Sequence, residues 1–231
     1  MLRVYFVTEG PTDQAVLEGI ISKWLGDADF EPIRIQPPGS DYVDEIGSNN
    51  LQSGWKGVLG WCEGRSAGLR VSRDEVVKQA DCLIVHVDAD VAVDSEFSHP
   101  PFAGACPPAR DACDWVRARL AVQFGDPPPT NLVFCVPSKD IEAWVVSCLH
   151  PEVADRFAPI ECRESPASLL AGRPNPRLVR AKGGGFQKSR TEYARRSGEI
   201  AAGWTSCAHG QLPRCLEAKR FEIDMRAVLG V

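Results

Sequence analysis

The sequence predicts an α/β fold: a mostly parallel, Rossmann-like sheet of about four strands flanked by helices, followed by a mainly helical C-terminal extension. Strand and helix patterns alternate over residues 1–150, an order typical of parallel β-α-β units with right-handed crossovers. The apolar run Leu83–Val87 has the composition of a strand buried on both faces, as expected at the centre of a parallel sheet. After Pro151 several prolines interrupt the pattern, and short helices are predicted in residues 151–231.

Each predicted strand has its own local signal. The segment Leu2–Thr8 is rich in β-branched and aromatic residues, which favour strands. The segment Phe30–Gln36 is similar, and Pro32 predicts an edge position because proline cannot donate a ladder hydrogen bond. The strongest strand signal lies in Asp81–Asp90, and Thr130–Pro137 is the next predicted strand.

The predicted helices lie between and after these strands. In Pro11–Gly26 a proline stands in the first turn and apolar residues recur at helical spacing, which predicts an amphipathic helix. In Ser138–Leu149 one apolar stripe includes Ile141 and Trp144, which are expected in the core. The remaining predicted helices are Val58–Glu63, Ser72–Gln79 and Ala109–Phe124.

Composition limits the classes of protein to which the chain can belong. Its 231 residues, 44% of them hydrophobic, are enough for one large core or for a domain with an appendage. No apolar run is long enough to span a membrane, and the N-terminus lacks a secretory signal pattern. Nine cysteines without a CxxC pair are expected to be reduced and buried, so a cytoplasmic protein is predicted. A zinc site built from Cys207, His209 and Cys215 is a weaker alternative because the spacing is irregular.

Acidic residues follow two of the predicted strands. Glu9 comes directly after the first strand, and Asp88 and Asp90 end the third. Ligands of open parallel sheets bind at the carboxyl ends of the strands, and residues two apart on a strand point to the same side. If the first and third strands are neighbours and the chain stays extended through Ala89, the three carboxylates meet and need a cation or a proton between them. Hard oxygen ligands at an open site are typical of Mg²⁺ or Mn²⁺.

These motifs, in this order, resemble the TOPRIM domain, the metal-binding fold of type IA and type II topoisomerases, bacterial primases and several small nucleases. The family pattern is a glutamate after the first strand, here Glu9 in TEGPTD, and a DxD after the third, here Asp88 and Asp90 in HVDAD. With an acid at Asp13, the motif is similar to that of the nuclease branch, which includes the overcoming-lysogenization-defect nucleases. The stretch PSKDIEAW, residues 137–144, also resembles a motif of standalone TOPRIM-like proteins, many of them linked to bacterial defence loci.

The resemblance implies a TOPRIM-like metal-binding domain in residues 1–150 that binds one or two Mg²⁺ or Mn²⁺ ions. By this resemblance Glu9, Asp88 and Asp90 would hold the metal, and Asp13 and Glu142 would be the additional ligands of a second ion.

The activity that the resemblance implies is hydrolysis of phosphodiester bonds in DNA or RNA, and the implied partner is an ATPase, as in defence systems. By the same resemblance Glu9 would act as general acid or base, and Lys139 would stabilise the phosphate in the transition state. Glu142 is the third catalytic candidate. The chain has three tyrosines and no room for gate-sized domains, so a topoisomerase is not expected.

Residues 173–196 form a basic segment in an otherwise acidic chain. The segment carries eight Lys or Arg residues and one acid, a charge of +7, whereas the whole chain has a net charge of −5. Such a local patch is typical of contacts with a phosphate backbone, and an aromatic residue such as Phe186 can stack on unpaired bases. A solvated loop followed by an ordinary charged helix is the structural alternative. The nucleic-acid-binding candidates are Arg180, Lys182, Lys188 and Arg190.

Two other interpretations stay open at this point. In one, the acidic and basic regions belong to a non-enzymatic module that binds nucleic acid or a partner protein. In the other, the chain has a receiver-like or related doubly wound fold, which also places acids at strand ends. The second is disfavoured because the matching lysine strand and the phospho-acceptor context are not evident in the sequence.

Overall fold

The computed structural model has four parallel strands in one sheet, with helices on both faces. It describes residues 1–26, 29–37, 54–64, 72–94, 110–173, 177–210 and 213–231.

The strands of the sheet are β1 (Leu2–Val7), β2 (Phe30–Gln36), β3 (Cys82–His86) and β4 (Leu132–Cys135). Their order is β2-β1-β3-β4, and every pairing is parallel. The α/β prediction is therefore confirmed, as are the edge position of the proline-containing strand and the adjacency of the first and third strands. The predicted third strand was too long, because β3 ends at His86 and a 3-10 helix begins at Ala89.

The helices before the hairpin described below are α1 (Pro11–Leu25), α2 (Gly54–Cys62), α3 (Arg73–Gln79), α4 (Arg110–Ala121), α5 (Glu142–Leu149), α6 (Pro151–Arg156) and α7 (Ala167–Ala171). Helix α3 begins with a capping box between Ser72 and Glu75, which satisfies two backbone donors at the helix start. The predicted start of α4, Ala109, lies outside the described residues. Helix α5 begins at Glu142 instead of the predicted Ser138, so Lys139 precedes the helix.

The two central strands are buried on both faces. In β1, Val4 and Phe6 face one hydrophobic cluster, and Tyr5 and Val7 face another. This alternation follows from the two-residue period of a strand. The first cluster is formed with α1, α5 and the C-terminal helices, and the second with α2, α3 and α4. The layer that contains α1 and α5 is the one that positions the site.

The chain after Pro151 contributes to the first cluster and is more regular than predicted. A two-stranded hairpin is formed by β5 (Val179–Lys182) and β6 (Gly185–Lys188). It is followed by α8 (Arg190–Ala202), α9 (Trp204–Ala208) and α10 (Leu216–Leu229). The prediction of only short helices is wrong for α8 and α10, which have 13 and 14 residues. Prolines are concentrated before Arg177, so they do not interrupt these later helices.

The triple glycine of the basic segment forms the hairpin turn. Gly183 and Gly184 have φ values of 58° and 82°, and Lys182 pairs with Gly185 across the turn. A two-residue hairpin turn with positive φ at both positions favours glycine strongly. The segment is therefore a tight turn between strands and not an open loop.

Within the described ranges, seven cysteines are free and buried, as expected for thiols that act as small apolar residues. Cys162 is disulfide-bonded, so the expectation of nine reduced thiols is wrong at this position. His209, a ligand in the weaker zinc alternative, instead contacts Glu222, with 2.7 Å between His209 Nε2 and Glu222 Oε2.

None of the helices in the described ranges combines the length and apolar composition needed to cross a membrane.

Candidate acidic site at the carboxyl edge of the sheet

Glu9 lies at the end of β1 and contacts the end of β3. Its Oε1 accepts a hydrogen bond of 2.7 Å from the backbone N–H of Asp88. The contact exists because β1 and β3 are adjacent and parallel, which brings their carboxyl ends to the same edge. The tight turn at Gly10 and Pro11 then starts α1 and places Asp13 in the first turn of that helix, buried beside the same edge. The acid at the end of the first strand therefore ties two strand ends together.

Asp88 and Asp90 do not converge through strand alternation. Asp88 is still extended, but a 3-10 helix spans Ala89–Val93 and contains Asp90. The expectation that the chain stays extended through Ala89 is therefore wrong. As a result Asp88 is buried, and its Oδ1 accepts a 3.0 Å hydrogen bond from the N–H of Ile141, whereas Asp90 is exposed.

His86 lies between two of the acids. Its Nε2 is 3.4 Å from Asp88 Oδ1, and its Nδ1 is 3.9 Å from Asp13 Oδ2. The ring is fully buried, and neither nitrogen makes a hydrogen bond of normal geometry. Burial opposes the charged ring, but Asp88, Asp13 and Glu9 together outweigh burial and raise the pKa of His86 to about 9. His86 is therefore not a core histidine whose two ring nitrogens are satisfied by hydrogen bonds.

Lys188 is the second cation of the site. Its Nζ lies 2.7 Å from Glu142 Oε2, 3.4 Å from Asp140 Oδ1 and 3.9 Å from Asp13 Oδ1. Burial disfavours its charge, yet the surrounding acids, with Asp13 the strongest, raise the pKa of Lys188 above the usual lysine range. The carboxylates and the two cations thus form a continuous path from Lys188 through Asp13 and His86 to Asp88.

Glu142 is fully buried at the start of α5. Besides Lys188, it accepts a 2.7 Å hydrogen bond from the hydroxyl of Tyr193 in α8. A buried carboxylate is stable only when it is paired and hydrogen-bonded, and Glu142 meets both conditions. The structure therefore connects the start of α5 to the hairpin and to α8.

The other predicted site residues are nearer the surface. Lys139 Nζ is 3.3 Å from Glu164 Oε1, in a pair whose glutamate side chain is 88% exposed. Such a pair contributes little stability, so Lys139 can exchange Glu164 for another anion at low free-energy cost. Arg180 and Lys182 are exposed on the hairpin, and Arg190 is exposed at the start of α8.

Three carboxyl groups of the site have raised pKa values. Burial raises the pKa of Glu9 to about 7, with His86 and the Asp88 N–H opposing the rise and the charges of Asp13 and Asp90 adding to it. Asp90 is exposed as a residue, but partial burial of its carboxyl group and the charge of Asp140 raise its pKa to about 6, opposed by Lys188 and Lys139. Burial also raises the pKa of Asp88, opposed mainly by His86. Burial is the largest cause of all three rises, so each of these carboxyl groups is harder to ionise here than in water.

The carboxylates are the right type of ligand for a divalent cation, but their positions do not form a complete metal-binding cluster. Within the described part of the chain, no three His, Cys, Asp or Glu side chains form a closed metal cluster. The oxygens of Glu9, Asp88 and Asp90 are nevertheless the ligand type that Mg²⁺ prefers, and Mg²⁺ is commonly held by one or two carboxylates and several waters. The donor set fits an open, largely hydrated site.

Sequence reasoning missed three members of the site: His86, Asp140 and Tyr193. His86 precedes Asp88 by two residues, so strand alternation predicts that both side chains face the same side. That signal was available in the sequence. The contacts of Asp140 and Tyr193 with Lys188 and Glu142 depend on how the hairpin and α8 pack, and no local pattern encodes them.

Comparison of the chain with family models, with curated proteins and with solved structures gives no match. The resemblance to TOPRIM domains therefore depends on the sequence motifs alone.

The pKa of Glu9 leads to a prediction about stability and pH. In the unfolded chain this carboxyl titrates near 4.5, and in the folded protein near 7. Between these values the folded state binds more protons, so Glu9 makes the free energy of unfolding fall as the pH rises from about 4.5 to about 7. The neutral Glu9→Gln side chain keeps an oxygen for the Asp88 N–H and removes this fall, which amounts to about 3 kcal/mol at most.

Urea unfolding in EDTA between pH 5 and pH 8 measures this effect. Glu9→Gln is expected to gain stability relative to the wild type as the pH rises, whereas Glu152→Gln, a change at an exposed carboxyl of α6, is expected to follow the wild-type curve. Parallel curves for wild type and Glu9→Gln would contradict the prediction.

Proposed function

We propose that the protein is a Mg²⁺- or Mn²⁺-dependent nuclease that hydrolyses phosphodiester bonds of nucleic acid, with Glu9, Asp88 and Asp90 as the metal-binding group. The observation that carries the proposal is the contact between Glu9 and the backbone of Asp88. It brings the acids of the TEGPTD and HVDAD motifs to the carboxyl edge of a parallel sheet, where ligands of such sheets bind.

A bound metal ion would stabilise the ionised form of these carboxyl groups. The raised pKa values of Glu9 and Asp90 mean that an additional positive charge beside them is favourable. When bound, such a cation activates water and stabilises the charge that develops on the phosphate. The exposed position of Asp90 leaves the ion open to a substrate. Lys139, whose charge reaches Asp90, is the candidate for contact with a phosphate oxygen.

The hairpin supports a nucleic acid as substrate. In a two-stranded ladder, residues directly opposite each other share a face, so Lys188 and Val179 face one side, and Arg180 faces the other with Gln187. Phe186 lies two residues before Lys188, on the same face, and is 43% exposed. The exposed cations Arg180 and Lys182 lie on the opposite face of the hairpin from Phe186. An exposed aromatic ring and exposed cations are each features of surfaces that bind single strands.

A cavity beside the hairpin has the charge that a phosphate backbone requires. Its volume is about 400 Å³, and its lining includes Arg173, Arg177 and Arg180. Among the described residues, none of these three arginines forms an ion pair, so their charges are available to phosphates.

The test combines metal binding with cleavage. Mg²⁺ and Mn²⁺ are titrated by calorimetry into the wild type, into Asp88→Asn/Asp90→Asn and into Asp111→Asn, a control at an exposed acid of α4. The double variant is expected to lose at least about 100-fold in affinity because two of the three charged ligands become neutral, and the control is expected to bind as the wild type does.

The same proteins are then incubated with single-stranded DNA, duplex DNA and single-stranded RNA. Cleavage is expected with the wild type and the control, only in the presence of the metal. Equal metal binding by all three proteins, or cleavage that survives in EDTA, would refute the proposal. Metal-independent binding of nucleic acid without turnover would favour the non-enzymatic module instead.

A further inference from the structure

The acids at this edge form two groups with different neighbours. Glu9 and Asp88 lie at the ends of β1 and β3 with His86 as a neighbouring cation, and Asp90 follows them in the 3-10 helix, where Lys188 and Lys139 act on its charge. Asp13, Asp140 and Glu142 surround Lys188. By resemblance, Asp13 and Glu142 were the predicted ligands of a second metal ion, so the position of Lys188 bears directly on how many ions the site holds.

The contacts of Lys188 are those of a bound cation. Its ammonium group has three N–H donors, and three carboxylates lie within 4 Å of it, at 2.7, 3.4 and 3.9 Å. The side chain is only 29% exposed, so these contacts are partly shielded from water and from salt. A metal ion between the same carboxylates would have to displace the ammonium or bind beside a fixed like charge, which is unfavourable.

The surroundings also hold Lys188 in place. The backbone of β6 is paired with β5, with Lys188 opposite Val179, and the next residue donates a 2.8 Å hydrogen bond from Ser189 N to Leu178 O. Glu142, the closest partner, is fully buried and is fixed by the Tyr193 hydroxyl. Leaving Glu142 without a cation would leave a buried charge uncompensated, which is strongly unfavourable.

We infer that Lys188 occupies the position of a second cation, so that the site takes up a single divalent ion, at Glu9, Asp88 and Asp90. This inference deepens the proposed function and rests on it for the location of that one ion. Lys188 is then a positioning residue of the acidic site, supplied by the hairpin, and not one of the residues that contact the nucleic-acid backbone. Asp13 and Glu142 serve as its partners and not as metal ligands.

The number of bound ions tests this inference without any activity assay. Mn²⁺ is counted by calorimetry and by native mass spectrometry in four proteins: the wild type, Lys188→Gln, Lys188→Arg and Lys182→Gln. The last is a matched control, since Lys182 is an exposed lysine of the same hairpin. One ion is expected in the wild type, in Lys188→Arg and in Lys182→Gln. Two ions are expected in Lys188→Gln, because its three carboxylates lose the cation that they share.

Thermal melting gives a second readout. In EDTA, Lys188→Gln is expected to melt well below the wild type, and Mn²⁺ is expected to raise its melting temperature more than that of the wild type, since an ion that binds only the folded state stabilises it by mass action. Two ions in the wild type, or the same number of ions in the wild type and in a folded Lys188→Gln protein, would overturn the inference. If Lys188→Gln does not fold, the wild-type count decides between one ion and two.

Failure of the proposed function gives a different result. If only Lys188→Gln binds an ion, Lys188 does fill a cation position, but the nuclease site at Glu9, Asp88 and Asp90 is refuted. If neither protein binds an ion, both proposals are refuted.

Discussion

Glu9→Gln is expected to remain folded and to lose metal-dependent cleavage by a factor on the order of 10³. The substitution keeps the side-chain oxygen that accepts the Asp88 N–H at 2.7 Å, so the ends of β1 and β3 stay joined. It removes the negative charge that the proposed cation would contact. Above pH 7 the same variant is expected to be more stable than the wild type, because the wild-type carboxyl, with its pKa of about 7, is then ionised in an unfavourable environment.

This combination of higher stability and lost activity distinguishes a functional acid from a structural one. A group that holds charge for function commonly reduces stability, whereas a structural acid stabilises the fold and destabilises it when removed. The cleavage rate is measured on a single-stranded DNA and on a small phosphodiester, with Glu152→Gln as the control. A Glu9→Gln protein that cleaves at the wild-type rate would exclude Glu9 from the metal-binding group.

Gly203→Ala is expected to destabilise the protein by about 4 kcal/mol or more, or to prevent folding. Gly203 joins α8 to α9, and a Cβ atom there would lie 2.1 Å from the carbonyl oxygen of Cys148 and 2.6 Å from its carbonyl carbon. Both atoms belong to the backbone of α5, so no side-chain rotation can relieve the overlap. The contact sets the distance between the C-terminal helices and α5, the helix that begins with Glu142.

Gly198→Ala in α8 is the matched control. A Cβ atom at Gly198 would meet nothing within 4 Å, and alanine has a better helix propensity than glycine by up to about 1 kcal/mol. The two glycine substitutions, five residues apart in the sequence, are therefore expected to change the free energy of unfolding in opposite directions. Chemical unfolding of both proteins measures this, and a Gly203→Ala protein as stable as the wild type would show that α5 and α9 are not packed this closely.

The strands, and whether each lies at the centre or at the edge of the sheet, were predictable because their sequence signals are local. The apolar run Leu83–Val87 and the β-branched segment Leu2–Thr8 predicted the two central strands, and Pro32 predicted the edge strand. Each of these patterns acts within a few residues, through side-chain shape or a missing backbone donor. The ends of the elements were less accurate, since the third strand stops at His86 and helix α5 starts four residues later than predicted.

The candidate site was predictable only in part. The acids at the strand ends, Glu9 and Asp88, were identified from their position in the chain, and the structure joins them. The path of Asp90 was predicted wrongly because a 3-10 helix replaces the expected extended chain after Asp88. The predicted role of Lys188 was a contact with nucleic acid, whereas the structure directs its ammonium group towards Glu142.

The sequence by itself determined which segments form the parallel sheet and that acidic residues end its first and third strands, because strand periodicity and turn chemistry are properties of neighbouring residues. Only the tertiary structure decided which cation neutralises which acid. Lys188 reaches Asp13 and Glu142 because the hairpin pairs β5 with β6 and because α8 packs on α1 so closely that a Cβ atom at Gly19 would lie 2.7 Å from Ser197 O. Charge compensation depends on distance in space, and residues so far apart in the chain are brought together only by the packing of the C-terminal helices on the sheet.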